Sequence, residues 1–428
     1  LAETLSAAGY DTACYSSNAW ITPYTHLTDG FAEQDNFFEV MPGEFLSGPL
    51  AKAWKTMNDS DALRTLADKL VSLGNTAHEY LAGGEGADSK TPAVIDQTID
   101  FVDDSEEFFA FVNLMDAHLP YHPPEEYKER FAPGVDSTEV CQNSKEYNAG
   151  ADEIDDDEWE DISGLYDAEI AHIDDQLTRL FDHLKETDRW DDTMVVVCAD
   201  HGELHGEHDL YGHEFCLYDP LVNVPLMVKH PDLDAERRDD QVELVDLYHT
   251  VLDSLGVEGG EPANPGDDAV GLDRTRSLLS TDYREFSRAT NGDPGQRRDG
   301  EYAFVEYSRP VVELKQLEEK ASSAGITLPE DSRFYSRMRA ARRTDAKYVR
   351  IDRIPDEAYR IDADPEETEN VADADDEAIA ETEAALAEFE DAIGGAWTDA
   401  LDTDVSDDSV DRMDDETQDR LRDLGYLE

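Results

Sequence analysis

The sequence predicts an α/β fold: a mainly parallel sheet sandwiched by helices, with a small antiparallel sheet subdomain towards the C-terminus. Two observations carry this. Up to Leu255, short and solidly apolar runs alternate with segments of helical period, as strands buried between helices do. Beyond Gly300 the strand-like runs become shorter and amphipathic, which suits an antiparallel sheet with one wet face.

In order along the chain, Leu1, Leu5 and Ala8 fall on one helical face, Gly9 suits the C′ position, and Asp11–Ser16 reads as a strand. A helix then a strand at the outset implies an earlier strand, and from the start at Leu1, with neither Met nor signal peptide, the chain is expected to be N-terminally incomplete. Ala93–Val102 is helical by pattern, and Phe108–Met115 is too short and too apolar for anything but a buried strand. The strongest helix, Gly164–Thr187, aligns Ile170, Ile173, Leu177, Leu180, Phe181 and Leu184 in one stripe. Thr193–Ala199 and Pro225–Val228 read as buried strands, and Leu244–Leu255 as a helix ended by Gly256. Val257–Gly300, rich in Gly, Pro, Asp and Arg, reads as a connecting segment. Tyr302–Tyr307, Met338–Arg342, Lys347–Ile351 and Tyr359–Ile361 then form the small antiparallel sheet, followed by a helix over Glu377–Ile393. The division is an α/β domain over 1–290, an α+β subdomain over 300–395 and an acidic tail over 396–428. The tail is expected to be solvated, like the acidic run Asp152–Asp161.

The 428 residues carry 103 acidic and 35 basic side chains, a net charge of −68. Binding phosphates takes clustered Lys and Arg, so nucleic acid and anionic membranes are excluded as partners. No apolar stretch is long enough to span a membrane. Charge repulsion of this size weakens a fold in dilute buffer, but at molar salt the screening length falls to about 3 Å. With the excess spread along the whole chain, the composition reads as that of a halophile. The four cysteines, Cys14, Cys141, Cys198 and Cys216, show neither CxxC nor secreted-framework spacing, so a reducing, cytoplasmic location is expected.

The chemistry concentrates in Asp200-His-Gly-Glu-Leu-His-Gly-Glu-His-Asp-Leu-Tyr-Gly-His213. In a parallel α/β sheet ligands collect at the carboxyl ends of strands, and Asp200 closes the Thr193–Ala199 strand. Adjacent Asp200 and His201 offer a carboxylate oxygen and an imidazole nitrogen to one divalent cation, and Gly202 lets the chain turn directly afterwards. A rival reading takes His201 and His205 as a helical zinc pair. Gly202 and Gly206 make that helix poor, and the HExxH order is absent. His118 follows the Phe108–Met115 strand, again at a carboxyl end, so it can serve the same crevice.

Taken together, these segments resemble the sulfatases of the alkaline-phosphatase superfamily, which include phosphonate monoester and phosphodiester hydrolases. Leu1-Ala-Glu-Thr-Leu and Ala8-Gly-Tyr-Asp-Thr12 resemble the helix and turn after the family's nucleophile segment. Phe111-Val-Asn-Leu-Met-Asp-Ala-His-Leu-Pro-Tyr121 resembles its second-histidine strand, and Asp200-His-Gly-Glu through Val224-Pro-Leu226 its metal and oxyanion segment. Arg342-Arg-Thr-Asp-Ala-Lys-Tyr348 and Asp362-Ala-Asp-Pro-Glu-Glu-Thr-Glu-Asn370 resemble its C-terminal strand pair, and Leu421-Arg-Asp-Leu-Gly-Tyr-Leu427 its ending.

The resemblance implies that Asp200 and His201 are metal ligands, with Ca2+ usual in sulfatases and Mn2+, Mg2+ or Zn2+ as the alternatives. Arylsulfatases commonly have Asn where His201 stands. It implies that His118 binds a sulfate oxygen or protonates the departing ester oxygen, and that His213, at a position often Lys, holds the anionic group. The family nucleophile is a formylglycine made from Cys or Ser in Cys-x-Pro-Ser-Arg, and none of the four cysteines has that context. The nucleophile and the first-strand aspartate ligands are therefore expected upstream, and the chain as it stands is expected to be inactive. The implied substrate is a small-molecule or saccharide sulfate ester. Phosphonate or phosphate ester hydrolysis is the enzymatic alternative, and a non-catalytic acidic binding protein the alternative of another class.

Overall fold

The computed structural model describes residues 1–18, 20–37, 89–259, 271–279, 302–395 and 397. In chain order the first elements are α1 (Ala2–Ala8), β1 (Asp11–Ser16), β2 (Glu33–Asn36), α2 (Thr91–Asp104), β3 (Phe108–Asn113), α3 (Glu125–Phe131), α4 (Ser144–Asn148) and α5 (Asp156–Glu186). There follow β4 (Val195–Cys198), β5 (Leu204–His205), β6 (Tyr211–Gly212), α6 (Asp219–Val222), β7 (Leu226–Lys229) and α7 (Asp246–Leu255). The last are β8 (Ala303–Tyr307), α8 (Val311–Ser323), β9 (Met338–Arg342), β10 (Lys347–Ile351), β11 (Glu357–Tyr359) and α9 (Glu377–Ala392). Their described residues gather into two compact units: one of 2–143 and 154–187, the other of 144–153 and 188–397.

The first unit holds the parallel sheet, in the order β2-β1-β3. Its register pairs Asp11 with Phe108 and Ser16 with Asn113, so the two strands end together, and Ser16 Oγ donates to Asn113 Oδ1 at 2.8 Å. One face packs Ala13 and Tyr15 against Val94 and Phe101 of α2. Two corrections fall here. The β3 run, expected to be buried, is half-buried, and Phe111 is 43% exposed, because β3 pairs with β1 alone among the described residues. The α5 stripe is only partly the expected one: Leu184 is buried, but Ile170 is 44% exposed, and the buried line of the N-terminal half runs through Ile162, Leu165, Ala168, Glu169 and His172. The helix also starts earlier, inside the acidic run expected to be loop. Asp155 caps it by accepting from Glu158 N at 3.0 Å, and Asp156, Asp157 and Glu158 complement the positive end of the helix dipole.

The second unit holds an antiparallel pair, β4 with β7, an antiparallel hairpin, β5 with β6, and the four-stranded antiparallel sheet β11-β10-β9-β8. The β4–β7 direction is a correction, since a parallel partner was expected. The intervening segment has no long crossover helix, which a parallel return needs. β4 is also half-buried, with Cys198 exposed, where burial was expected. The C-terminal sheet packs under α9, where Phe304 and Phe389 stack at 4.5 Å and Ala341, Tyr348, Ile379 and Leu386 share a core. Helix α8 was not expected; Leu317 and Ala321, four apart, bury its inner face against Phe215 and Ala149. Most of the 257–300 segment and of the 396–428 tail, with its 421–427 ending, lies outside the described residues.

Candidate functional site

Asp200 and His201 leave the end of β4 side by side, both exposed. Asp200 Oδ1 accepts from His201 N at 3.0 Å, and the His201 Nδ1 proton goes to Gly202 O at 2.8 Å. That carbonyl sets the tautomer that presents a lone pair at Nε2, which stands 4.0 Å from Asp200 Oδ1. The two donors therefore fit one divalent cation as two members of its shell. Among the described residues no group of three or more His, Cys, Asp or Glu is gathered as a metal site. Position 202 requires glycine, because a Cβ there would stand 1.9 Å from Pro220 O. Leu204–His205 is strand, which excludes the helical zinc pair.

The β5–β6 hairpin pairs Leu204 with Gly212, so the residues just outside it, Glu203 and His213, meet. His213 Nδ1 donates to Glu203 Oε1 at 3.0 Å, its Nε2 lies 3.8 Å from Glu214 Oε1, and its ring stacks on His201 with centroids 4.4 Å apart. Burial opposes charge on His213. The Glu203 hydrogen bond and the Glu214 and Glu203 carboxylates outweigh it, and the pKa lies above the usual histidine value. Lys145 of α4 pairs with Glu214, and Asn148 exchanges hydrogen bonds with the Tyr211 backbone at 2.8 and 2.9 Å, docking α4 on the hairpin.

The C-terminal sheet braces this turn. Gly202 N donates to Leu221 O of α6 at 2.9 Å, and α6 opens with buried Asp219. Asp219 accepts from Arg342 at 2.7 Å and from Lys347 at 2.8 Å, while Lys347, wholly buried, also reaches Glu367 at 2.8 Å. Burial works to raise the Asp219 carboxyl, but the two cations hold it below the usual range. The Arg342–Tyr348 and Asp362–Asn370 motifs thus anchor the helix that holds Gly202.

His118 belongs to the other compact unit, exposed in the turn after β3, its Nδ1 proton directed to Leu119 O at 2.6 Å. Of the residues singled out in the sequence, Asp200, His201 and His213 are brought together. Lys145, Glu203 and Glu214 were missed. Glu203 and Glu214 adjoin named residues, whereas Lys145 carries no local signal.

The sequence profile of the Sulfatase family matches residues 1–257. The chain belongs to the sulfatase family. This sulfatase-family chain is 26% identical over 250 residues to the uncharacterized sulfatase YidJ of Escherichia coli, covering 53% of this chain and 48% of that protein. It is 29% identical over 229 residues to the multifunctional alkaline phosphatase superfamily protein PehA of Trinickia caryophylli, covering 51% and 38%. It thus spans about half or less of the curated relatives it matches. Among solved structures it is similar to the phosphonate monoester hydrolase of Agrobacterium radiobacter, with TM-score 0.56 and 20% identity over 90% of this chain and 78% of that one. It is also similar to BT4656, solved with its substrate D-glucosamine-2-N,6-O-disulfate, with TM-score 0.53 and 15% identity over 95% and 83%. At these identities the likeness shows the fold, which is that of the sulfatases and their alkaline-phosphatase-like relatives.

Proposed function

We propose that the whole protein hydrolyses sulfate esters. The observation that carries this reading is the Asp200–His201 pair at the end of β4, with the His201 ring stacked on His213, whose Nδ1 is bonded to Glu203, within the family-matched segment. Asp200 and His201 would hold one divalent cation, calcium by the habit of the family, which when bound neutralises anionic ester oxygens. His213, whose protonated form Glu203 and Glu214 favour, grips the sulfate oxygens and stabilises the charge that develops there. His118, with Nδ1 committed to the Leu119 carbonyl, exchanges its catalytic proton at Nε2 and delivers it to the departing alcohol. The nucleophile, a formylglycine in this family, comes from outside the contexts of the four cysteines here.

A second reading, phosphonate or phosphate ester hydrolysis, is favoured by one residue: His201 stands where arylsulfatases commonly have Asn. The test is kcat/KM of the whole protein on nitrophenyl sulfate and on the matching phosphonate monoester. The expected result is a higher value for the sulfate. The reverse order supports the second reading, and no turnover of either supports a non-catalytic binder.

A further inference from the structure

The turn that carries His118 is held by a buried polar cluster outside the proposed catalytic set. Glu169, on the buried line of α5, accepts from His122 N at 2.8 Å and shares a side-chain hydrogen bond with Asp116. Asp116 also accepts from the Thr91 hydroxyl, and its Oδ1 lies 3.8 Å from His172 Nε2. His172 directs Nε2 to Ser89 Oγ at 3.1 Å, and its buried Nδ1 has no hydrogen-bond partner among the described residues. One side chain thus touches both ends of the 116–122 turn. Within it Ala117 has φ +68°, a conformation disfavoured for a residue with a Cβ and maintained only by surrounding contacts.

Two carboxyl groups in contact share one proton, because both cannot ionise at that separation. Burial first, then the charge of Asp116, raises the Glu169 carboxyl to about 8, against the opposing His122 N–H. The groups around the pair do not relieve it. Burial lowers His172 and His122, so both rings are neutral at pH 7, while Glu126 and Asp175 add further negative charge. Asp175 is bound by the Tyr127 hydroxyl at 2.9 Å.

We propose that Glu169, carrying a proton, is the positioning residue of the His118 turn: it donates to Asp116, accepts from His122, and lets the turn go when it ionises. A carboxyl raised in the fold holds this contact at low pH and loses it as pH rises through about 8. That the turn serves catalysis rests on the function proposed above; the grip itself does not.

The test is amide hydrogen exchange of the full chain between about pH 6.5 and 9.5, corrected for intrinsic rates. Protection of the 116–122 amides is expected to fall at least about tenfold, with a midpoint near 8, while α5 stays protected. Glu169→Gln keeps a donor for Asp116 and an acceptor for His122 but cannot ionise, so its protection should stay flat across the range. Glu169→Ala should be unprotected in the turn throughout, with α5 intact. A flat wild-type profile, or a Glu169→Gln profile that falls like the wild type, overturns the proposal. The exchange pattern supports the grip whether or not the whole protein turns over sulfate esters.

Discussion

His213 and His172 are both imidazoles among carboxylates, and the fold drives them in opposite directions. His213 hydrogen-bonds a carboxylate directly, Glu203 at 3.0 Å, and rises above the usual histidine range. His172 has its nearest carboxylate, Asp116, at 3.8 Å, shares a hydrogen bond with a serine hydroxyl instead, is only 5% exposed, and falls below that range. Nearby negative charge alone does not make a histidine cationic in a buried site. A carboxylate that accepts the ring proton does, because it supplies the hydrogen bond and the charge together. The same difference explains which group gains proton affinity: the imidazole in the 213 cluster, and the Glu169 carboxyl in the 172 cluster.

The largest expected effect lies beside the cationic histidine. Asp200→Ala in the whole protein should remove both bound metal and activity, since it takes a charged oxygen donor out of the metal shell, whereas Glu153→Ala should change neither. Elemental analysis of the purified variants checks this, and full metal occupancy in Asp200→Ala would falsify the ligand assignment.

A smaller change erases the contrast between the two histidines. Glu203→Gln leaves His213 a neutral partner, as Ser89 is for His172. A His213 cation is favoured in the fold below the ordinary histidine pKa and is lost as pH rises through its raised value. In the variant, the alkaline limb of kcat/KM should therefore move to lower pH by about one unit or more. An unmoved limb would show that Glu203 does not hold the charge. Salt sharpens the comparison from the other side. Moving from molar KCl to dilute buffer should lower the thermal midpoint, because repulsion within a net charge of −68 is then unscreened. The directly bonded His213–Glu203 pair should change little. A midpoint that stays flat contradicts the halophile reading.

Much of this was legible in the sequence. Asp200, His201 and His213 sit within one stretch, and Gly202 announced the turn after β4, though not the β5–β6 hairpin. The antiparallel β4–β7 pairing was not legible, since an apolar run such as Val195–Cys198 fits a buried strand of either direction. Nor were the partners that set protonation. Lys145 meets Glu214 across 69 residues and Glu169 meets the His122 backbone across 47. One signal did exist for the second cluster: Glu169 and His172, three apart, continue the helical line of Ile162, Leu165 and Ala168. Polar residues on an apolar helical face must find partners, and here they found the His118 turn.

The most direct test of the functional account separates His118 from His213 by leaving group. A proton donor matters most when the departing alcohol is a poor leaving group, whereas a cation that grips the sulfate acts on all esters alike. Measured on the whole protein with alkyl sulfates and nitrophenyl sulfate, His118→Ala should slow the alkyl esters far more. His213→Ala should slow both by a similar factor, on the order of 10²–10³. If the two variants show the same dependence on leaving group, the division of roles between them is wrong.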